Sequence, residues 1–294
     1  MKFLKETNID FLGKKKAAFI VSLIMVILSV VFLFIKTPNW GIDFTGGSLV
    51  HLRFSTPPVE KELRRVLEEA GLEQSSIQKF SNSQVIIIRL RKETTGGDAI
   101  DRVESAIKDG IPGSKFKILR SEMVGPAVGS YIREKAVKAF IFAFIGMIIY
   151  VAWRFKGGVW GLAAVIALVH DVIVTFGILN YFGITIDLPV VAALLTLAGY
   201  SINDSIVVYD RIRENIKLHY KKPIGEIINL SINSTLSRTI ITSGTTIMVV
   251  LALFFKGGEV LHGFSTTLLA GIIIGTYSSI FVASPLVYAW QKKK

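Results

Sequence analysis

The feature that most constrains this chain is an apolar run at 17–35 that contains no charged side chain (AAFIVSLIMVILSVVFLFI). A helix needs about 20 apolar residues to cross a hydrocarbon core of about 30 Å, and backbone polar groups in that core must be hydrogen-bonded within the protein. Further apolar runs fall at 136–154, 158–182, 188–209, 239–255 and 263–290. The sequence therefore predicts an α-helical membrane protein with six spans, five of them in its second half.

Composition agrees with a membrane protein, since 51% of the residues are apolar and only 19% are charged, against about 25% charged in soluble domains. Sixteen of the 34 Lys and Arg lie in short segments at the ends of apolar runs, so the net charge of +12 predicts membrane topology and no nucleic-acid partner. The chain has no cysteine, which excludes disulfides, a thiolate nucleophile and cysteine-based metal sites.

The first apolar run has one competing interpretation. Lys14, Lys15 and Lys16 precede it, as basic residues precede a cleaved signal peptide. Its length, and the lack of a small-x-small cleavage site after it, favour an uncleaved first span.

The distribution of Lys and Arg orients the spans, because these residues accumulate on the cytoplasmic side of short loops. The basic segments are 1–16, 154–156, 211–238 and 292–294, whereas the opposite short loops are nearly bare. We therefore expect cytoplasmic N- and C-termini and an extracytoplasmic segment at 36–135. Long exported segments are exempt from this bias, so the basic residues within 36–135 do not conflict with it.

The apolar pattern changes from continuous to periodic within 36–135, which indicates a water-soluble domain. The predicted elements are a strand at 50–54, a helix at 59–67, strands at 76–80 and 84–90, a helix that Asp98 caps, and a strand at 116–124. This βαββαβ order predicts a ferredoxin-like α+β domain. Its only histidine is His51 and no acid pair is evident, so we interpret it as a binding or lever domain.

The segment at 211–237 is predicted to be an amphipathic cytoplasmic loop between the fourth and fifth spans. Ile224, Ile227, Ile228 and Ile232 fall on one face of a helix that follows Pro223. Such a helix can lie in the membrane interface or in the groove of a partner protein, and the sequence favours neither.

Few ionisable side chains lie inside the predicted spans, where a charge costs at least about 2.5 kcal/mol. Asp204 in the fourth span and Arg238 at the start of the fifth both fall in the cytoplasmic third, so they can pair. Desolvation favours the neutral form of a carboxyl group, and we therefore predict that Asp204 takes and releases a proton under the control of Arg238. The predicted supporting residues are His170, Asp171, Ser201 and Asn203.

Simpler interpretations stay open for two of these groups. Arg238 can extend to the membrane interface, as an arginine at a helix end often does. His170 and Asp171 can form a structural hydrogen-bonded pair between helices.

An enzyme is the rival class of protein. Tyr209 and Asp210 are similar to the first half of an intramembrane aspartyl protease site, but the second Gly-x-Gly-Asp half is missing. Pairs such as Gly46-Gly47 and Gly257-Gly258 fit no phosphate-binding loop. We therefore expect no enzymatic activity, no metal and no cofactor, and an ion gradient as the energy source.

Five motifs resemble those of the SecF family, part of the SecD/SecF group in the resistance-nodulation-division superfamily. They are NWGIDFTGG at 39–47, MVGPAVG at 123–129, ALVHDVIVTFGIL at 167–179, GYSINDSIVVYDRIREN at 199–215 and SRTIITSGTTIMVV at 237–250. Their length, order and spread over almost the whole chain make the resemblance specific.

The resemblance implies half of a pseudo-symmetric membrane bundle, completed by SecD, in the bacterial cytoplasmic (inner) membrane. It implies an auxiliary role in protein export through the SecYEG channel, in which SecA pushes the preprotein with ATP and the proton motive force, or a sodium gradient, completes translocation. YajC is a further implied partner. Asp204 and Arg238 match family positions implicated in proton transport.

A small-molecule or lipid exporter on the same superfamily scaffold is the alternative function, because it would also use an intramembrane carboxylate and a proton gradient. Such exporters usually fuse both halves into one chain with a second large exported loop.

Overall fold

The computed structural model describes residues 7–73, 75–79, 84–90, 98–155 and 158–291. The chain forms two compact units. One unit runs from Trp40 to Val137, and the other combines the chain up to Asn39 with the chain from Lys138 onward.

The described helices and strands, in chain order, are as follows. The helices are α1 (Lys15–Ile35), α2 (Ile42–Thr45), α3 (Glu60–Glu69), α4 (Asp98–Gly110), α5 (Pro126–Phe155), α6 (Gly158–Tyr181), α7 (Leu188–Leu218), α8 (Ile224–Lys256), α9 (Gly258–Ser278) and α10 (Ser284–Gln291). A π-helical turn at Ser279–Ala283 joins α9 to α10. The strands are β1 (Gly47–Phe54), β2 (Ser76–Lys79), β3 (Val85–Leu90) and β4 (Phe116–Val124).

The Trp40–Val137 unit is built on an antiparallel sheet with the strand order β2-β3-β1-β4. Val50, Leu52 and Phe54 alternate along β1 and are fully buried, as their period of two predicts. They pack with Ile88 of β3 and Val103 of α4 in one apolar core. The predicted ferredoxin-like fold is confirmed.

Gly46 and Gly47 form a tight turn between α2 and β1. Both have positive φ angles, +72° and +122°, which residues with a Cβ rarely adopt. The first turn of α5 also approaches this turn closely, because a Cβ added to Gly129 would lie 2.9 Å from the backbone nitrogen of Gly46. The glycines therefore allow a sharp turn and a close contact between two backbones.

Among the described residues, six helical stretches are long and apolar enough to cross a membrane. They are α1, α5, α6, α7, α8 and the continuous stretch Val260–Gln291. The predicted six-span architecture is confirmed. Helices α5, α7 and α8 have 30, 31 and 33 residues and extend beyond the apolar runs that the sequence shows.

The helices differ in how much of their surface is buried. In α6 and in Val260–Gln291, 56% of the 18-residue apolar stretch is buried. The corresponding share is 17% in α1, 6% in α5 and 17% in α8. The interior therefore consists mainly of α6, α7 and the last span, and α1, α5 and α8 leave most of their apolar surface uncovered.

Helix α1 packs on α6 through small and amide side chains. Gly177 lies directly against Ser29, so that a Cβ at Gly177 would overlap the serine side chain. The amide of Asn180 donates hydrogen bonds to the carbonyls of Phe32 and Lys36, at 2.9 Å and 2.8 Å. Small residues let helix backbones approach closely. The amide adds a second hydrogen bond to the Phe32 carbonyl, which already accepts the Lys36 N–H at 2.9 Å, and it also binds the Lys36 carbonyl at the end of α1.

The segment at 211–237 differs from the sequence expectation of a loop with an interfacial helix. Helix α7 continues to Leu218, a turn occupies 219–223, and α8 begins at Ile224. The apolar side chains of Ile227, Ile228 and Ile232 are buried, and the latter two lie in the core cluster of the chain itself. Because α7 and α8 continue as a packed pair, this face is covered by the chain's own helices.

Residues 9–12 bind to α8 just before α1 begins. The Asn233 side chain accepts a hydrogen bond from the Ile9 N–H at 2.9 Å and donates one to the Ile9 carbonyl at 2.8 Å. The Asn229 side chain accepts the Leu12 N–H at 3.0 Å. Two asparagines one turn apart on α8 therefore hold the entry to α1.

Asp10 orients one of these asparagines. Its carboxylate accepts the Gly13 backbone N–H at 2.8 Å and the Asn229 amide at 2.6 Å. These two donors, the backbone N–H first, hold the pKa of Asp10 below its usual value. The ionised carboxylate thus directs the amide oxygen of Asn229 towards Leu12.

The contact between α1 and α6 predicts opposite effects for two identical substitutions. Alanine is favoured over glycine in a helix by about 1 kcal/mol, so Gly199→Ala in α7, where a Cβ meets open space, should leave the purified chain as stable or more stable. Gly177→Ala should destabilise it by about 1–3 kcal/mol, because the methyl group overlaps Ser29. Thermal unfolding in detergent measures both, and shifts of the same sign would contradict this account of the α1–α6 contact.

Candidate functional site

Asp204 lies at the meeting point of three segments of the membrane-spanning unit. Its side chain is half-buried on α7. One carboxylate oxygen accepts a hydrogen bond from the Thr239 hydroxyl of α8 at 2.7 Å, and the other accepts one from the Ser279 hydroxyl of the π-helical turn at 2.6 Å. The carboxylate is therefore held by neutral donors from two other segments.

The helical pair α7–α8 explains why Asp204 meets Thr239. The two helices run in opposite directions from the turn at 219–223, so residues at equal distances from the turn lie side by side. Nearer the turn, the Ser231 hydroxyl donates to the Arg211 carbonyl at 3.4 Å, and each of these residues is eight positions from the turn. Further along the same pair, Asp204 comes level with Thr239.

Arg238 does not contact Asp204. It precedes Thr239, and successive helical residues are rotated by about 100°, so the two side chains point in different directions. Arg238 is exposed, and its guanidinium makes no hydrogen bond or ion pair with any residue that the structure describes. In this conformation Thr239, and not the predicted partner Arg238, binds Asp204.

A second buried carboxylate, Asp171, brings together three of the predicted supporting residues. One oxygen of Asp171 lies 2.8 Å from Nδ1 of His170, and the other accepts the Ser201 hydroxyl of α7 at 2.5 Å. Ser278 lies near this carboxyl, and its hydroxyl donates to the Ala167 carbonyl at 3.4 Å. Asp171 is completely buried and His170 is 7% exposed.

Asn203, the remaining predicted supporting residue, is not brought to either carboxylate. It is exposed on α7, and its side chain makes no hydrogen bond with any of the described residues. Its neighbours Ser201 and Asp204 are three residues apart, so they share a face of α7 from which Asn203 is rotated away.

Sequence reasoning missed Ser278 and Ser279, which follow each other in the last span. The π-helical turn begins at Ser279, and the Ser284 hydroxyl donates to the Ser279 carbonyl five residues earlier at 2.8 Å. Such turns are frequent at functional sites because they re-aim side chains. The signal in the sequence is a pair of serines inside a long apolar run. Ser279 donates to Asp204, whereas Ser278 donates to the Ala167 carbonyl and lies near Asp171.

A separate group of hydroxyls joins α7, α8 and α9 one turn away from the site. The hydroxyls of Ser243 and Thr276 are 2.7 Å apart, and Tyr200 donates to Ser243 at 3.3 Å.

The rival protease interpretation rests on Asp210, which has another partner. Its carboxylate forms an ion pair with Arg154 at 2.8 Å on the partly exposed end of α7. Tyr209 is buried and packs edge-on against Phe155 and Trp160. These two residues therefore have structural contacts. No group of three or more histidine and acidic side chains among the described residues has the arrangement of a metal site.

Two models of known protein families match the chain. The family model described as "Protein export membrane protein SecD/SecF, C-terminal" matches residues 103–293, and "SecD/SecF GG Motif" matches residues 31–58. The first match alone covers more than half of the chain. The chain belongs to the SecF family.

Curated SecF proteins are similar over nearly their whole length. "Protein translocase subunit SecF" of Desulfurispirillum indicum is 46% identical over 97% of this chain and 92% of the relative. The SecF of Escherichia coli O157:H7 is 42% identical over 97% of this chain and 88% of the relative. Membership of this family gives the chain a role in Sec-dependent protein export as a multi-pass membrane protein.

A solved SecF-related structure shares the fold. The crystal structure of SecDF from Thermus thermophilus, named there a translocon-associated membrane protein, matches with a TM-score of 0.89 and 39% sequence identity. The match covers 98% of this chain but only 39% of the longer SecDF chain.

The hydrogen bond from Thr239 to Asp204 predicts a stability difference between two threonines of α8. Thr239→Val keeps the shape but leaves one carboxylate oxygen without its donor, which should cost about 1–3 kcal/mol because Thr239 is only 2% exposed. The matched control is Thr245→Val, since the exposed Thr245 donates only to carbonyls of its own helix. It should change stability by no more than about 0.5 kcal/mol. Equal losses in thermal unfolding of the purified chain would show that the contact with Asp204 adds nothing.

Proposed function

We propose that this chain assembles with SecD in the bacterial cytoplasmic membrane and that Asp204 couples proton flow to a late step of protein export. The observation that carries the proposal is the environment of Asp204, whose carboxylate lies within a span and is held by the hydroxyls of Thr239 and Ser279. Neutral donors stabilise the carboxylate, but they do not cancel its charge. Taking up a proton removes a charge that is costly in a membrane.

The relatives support the export role and the partner. They are named as subunits of the protein translocase, and the solved neighbour is a SecDF protein. We propose that SecD supplies the second half of the bundle and that the complex acts at the SecYEG channel, with YajC as an accessory partner. SecA would push the preprotein with ATP, and the proton gradient would complete its passage.

We propose that Arg238 regulates the proton on Asp204. Arg238 precedes Thr239, so a rotation of α8 by about 100° would replace the threonine hydroxyl with the guanidinium at the carboxylate. A guanidinium favours the ionised carboxylate, whereas its removal favours protonation. Such a rotation would thus drive proton release in one state and uptake in the other.

The energy available is sufficient for such a cycle. One elementary charge that crosses 100 mV releases about 2.3 kcal/mol, so a few protons can drive a conformational change against a load.

We also propose that both termini lie in the cytoplasm and that residues 36–135 lie outside, on the basis of the Lys and Arg bias. Single cysteines at Lys221 and Phe182 test this, because the chain has no native cysteine and both side chains are exposed. A membrane-impermeant thiol reagent on intact cells should label Phe182→Cys and leave Lys221→Cys unlabelled until the membrane is opened. The reverse pattern would invert the proposed topology.

The proposal for Asp204 predicts a selective loss of function. Asp204→Asn keeps the volume and can still hydrogen-bond to both hydroxyls, because its amide oxygen accepts from one and its NH2 group donates to the other, but it cannot ionise. Late translocation into inverted vesicles should fall to the level of the native complex with an uncoupler, while the ATP-driven early stage is unchanged. Arg238→Lys should also reduce the gradient-dependent part, because the planar guanidinium fork is lost.

Asp210→Asn is the matched control on the same helix, since it removes the partly exposed ion pair with Arg154. It should retain gradient-dependent export. A normal, uncoupler-sensitive rate for Asp204→Asn would end the proton-carrier role of Asp204. A sodium gradient that drives export where a proton gradient does not would identify sodium as the coupling ion.

A further inference from the structure

One buried polar atom of the His170–Asp171 pair has no hydrogen-bond partner in the described part of the chain, which is not expected of a purely structural pair. Nδ1 of His170 lies 2.8 Å from Asp171, but Nε2 is buried and has no hydrogen-bond partner among the described residues. A buried polar atom without a hydrogen-bond partner destabilises the folded protein. The histidine is thus fixed through one nitrogen and open at the other.

The described groups around the His170–Asp171 pair do not balance its charge, so that charge depends on whether Nε2 of His170 is protonated. Helix α1, which packs against α6, has no ionisable side chain at 17–35. From the last span the ring of Tyr277 faces the imidazole at 6.4 Å, and on α7 Asp204 lies one turn from Ser201. None of these described groups is a cation that could neutralise Asp171.

The proton balance of the pair follows from this geometry. With Nδ1–H donating to the carboxylate and Nε2 bare, the pair carries one negative charge inside the membrane. A proton from water that binds Nε2 gives an imidazolium beside a carboxylate, and the pair becomes neutral. An adjacent carboxylate stabilises an imidazolium in this way without being protonated itself.

We propose that His170 and Asp171 form a second proton-binding site within the spans, with Nε2 of His170 as the atom that takes and releases the proton. Asp171 is the positioning residue, because it fixes the ring through Nδ1 and balances its charge. The protonation is a property of the pair, and its use in the transport cycle rests on the proposed function.

The second site lies close to Asp204 along the same two segments. Ser201 donates to Asp171 from the same face of α7 that carries Asp204. In the last span, Ser279 donates to Asp204, and Ser278, the residue before it, lies near Asp171.

Nitrogen NMR of the histidines tests the protonation directly. The chain has four histidines, and ¹⁵N-histidine labelling of the complex with SecD in a lipid bilayer gives few signals. Spectra recorded over a range of decreasing pH should show that Nε2 of His170 takes up a proton. In Asp171→Asn it should stay neutral over the same range, because the carboxylate that balances the imidazolium is gone.

The NMR signal of His170 can be assigned without substituting a residue of the His170–Asp171 pair. His51→Asn, His219→Asn and His262→Asn each remove one other signal, so the His170 signal follows by elimination even if variants at the pair fail to fold. An Nε2 signal that stays constant over this pH range in the native complex would overturn the proposal. An unchanged titration in a folded Asp171→Asn protein would overturn the role of Asp171.

An export assay tests the use of this proton. His170→Asn keeps an amide donor near Asp171 but has no group that binds a proton, and it should abolish the gradient-dependent part of late translocation. His219→Asn, in the turn after α7, is the matched control and should export normally. If Asp204→Asn is normal, the proposed function fails and a titrating His170 still stands. If Asp204→Asn is inactive and His170 does not titrate, only the second site is lost.

Discussion

The rest of the structure depends on the scarcity of water in the hydrocarbon core of a membrane. A polar group in that region keeps its hydrogen bonds only by finding a partner within the protein, so each polar side chain in a span fixes which helices pack together. Asn180 holds the end of α1 against α6 in this way, and Asp204 holds α8 and the last span against α7. The same side chains that fix the packing are therefore the ones that can carry chemistry.

The choice of hydroxyl partners has a chemical consequence for both carboxylates. An arginine at hydrogen-bond distance would fix a carboxylate in its charged form, whereas a hydroxyl can donate to the ionised form and accept from the protonated form. Asp204 is held by Thr239 and Ser279, and Asp171 accepts the hydroxyl of Ser201. Each site can therefore change charge while its hydrogen-bond partners stay in place.

The Trp40–Val137 unit and the membrane spans differ in how well the sequence predicts their structure. The Trp40–Val137 unit buries one face of each strand and helix, so periods of 2 and 3.6 residues predicted its elements and its ferredoxin-like order. In the spans nearly every residue is apolar, and periodicity does not indicate which face is covered. The sequence thus predicted how many spans there are, but it misjudged the segment at 211–237, whose apolar face packs on the chain's own helices.

The sequence by itself determined the spans, the βαββαβ domain and the few residues that can bear charge in a membrane, because composition and apolar length depend on the chain alone. Only the tertiary structure decided which of these residues meet. It set Thr239 rather than Arg238 against Asp204, because the side chain that faces a neighbouring helix depends on helix rotation, and one residue changes it by about 100°. It also brought Ser279 to Asp204, because a π-helical turn aims a side chain in a direction that a regular helical period does not predict.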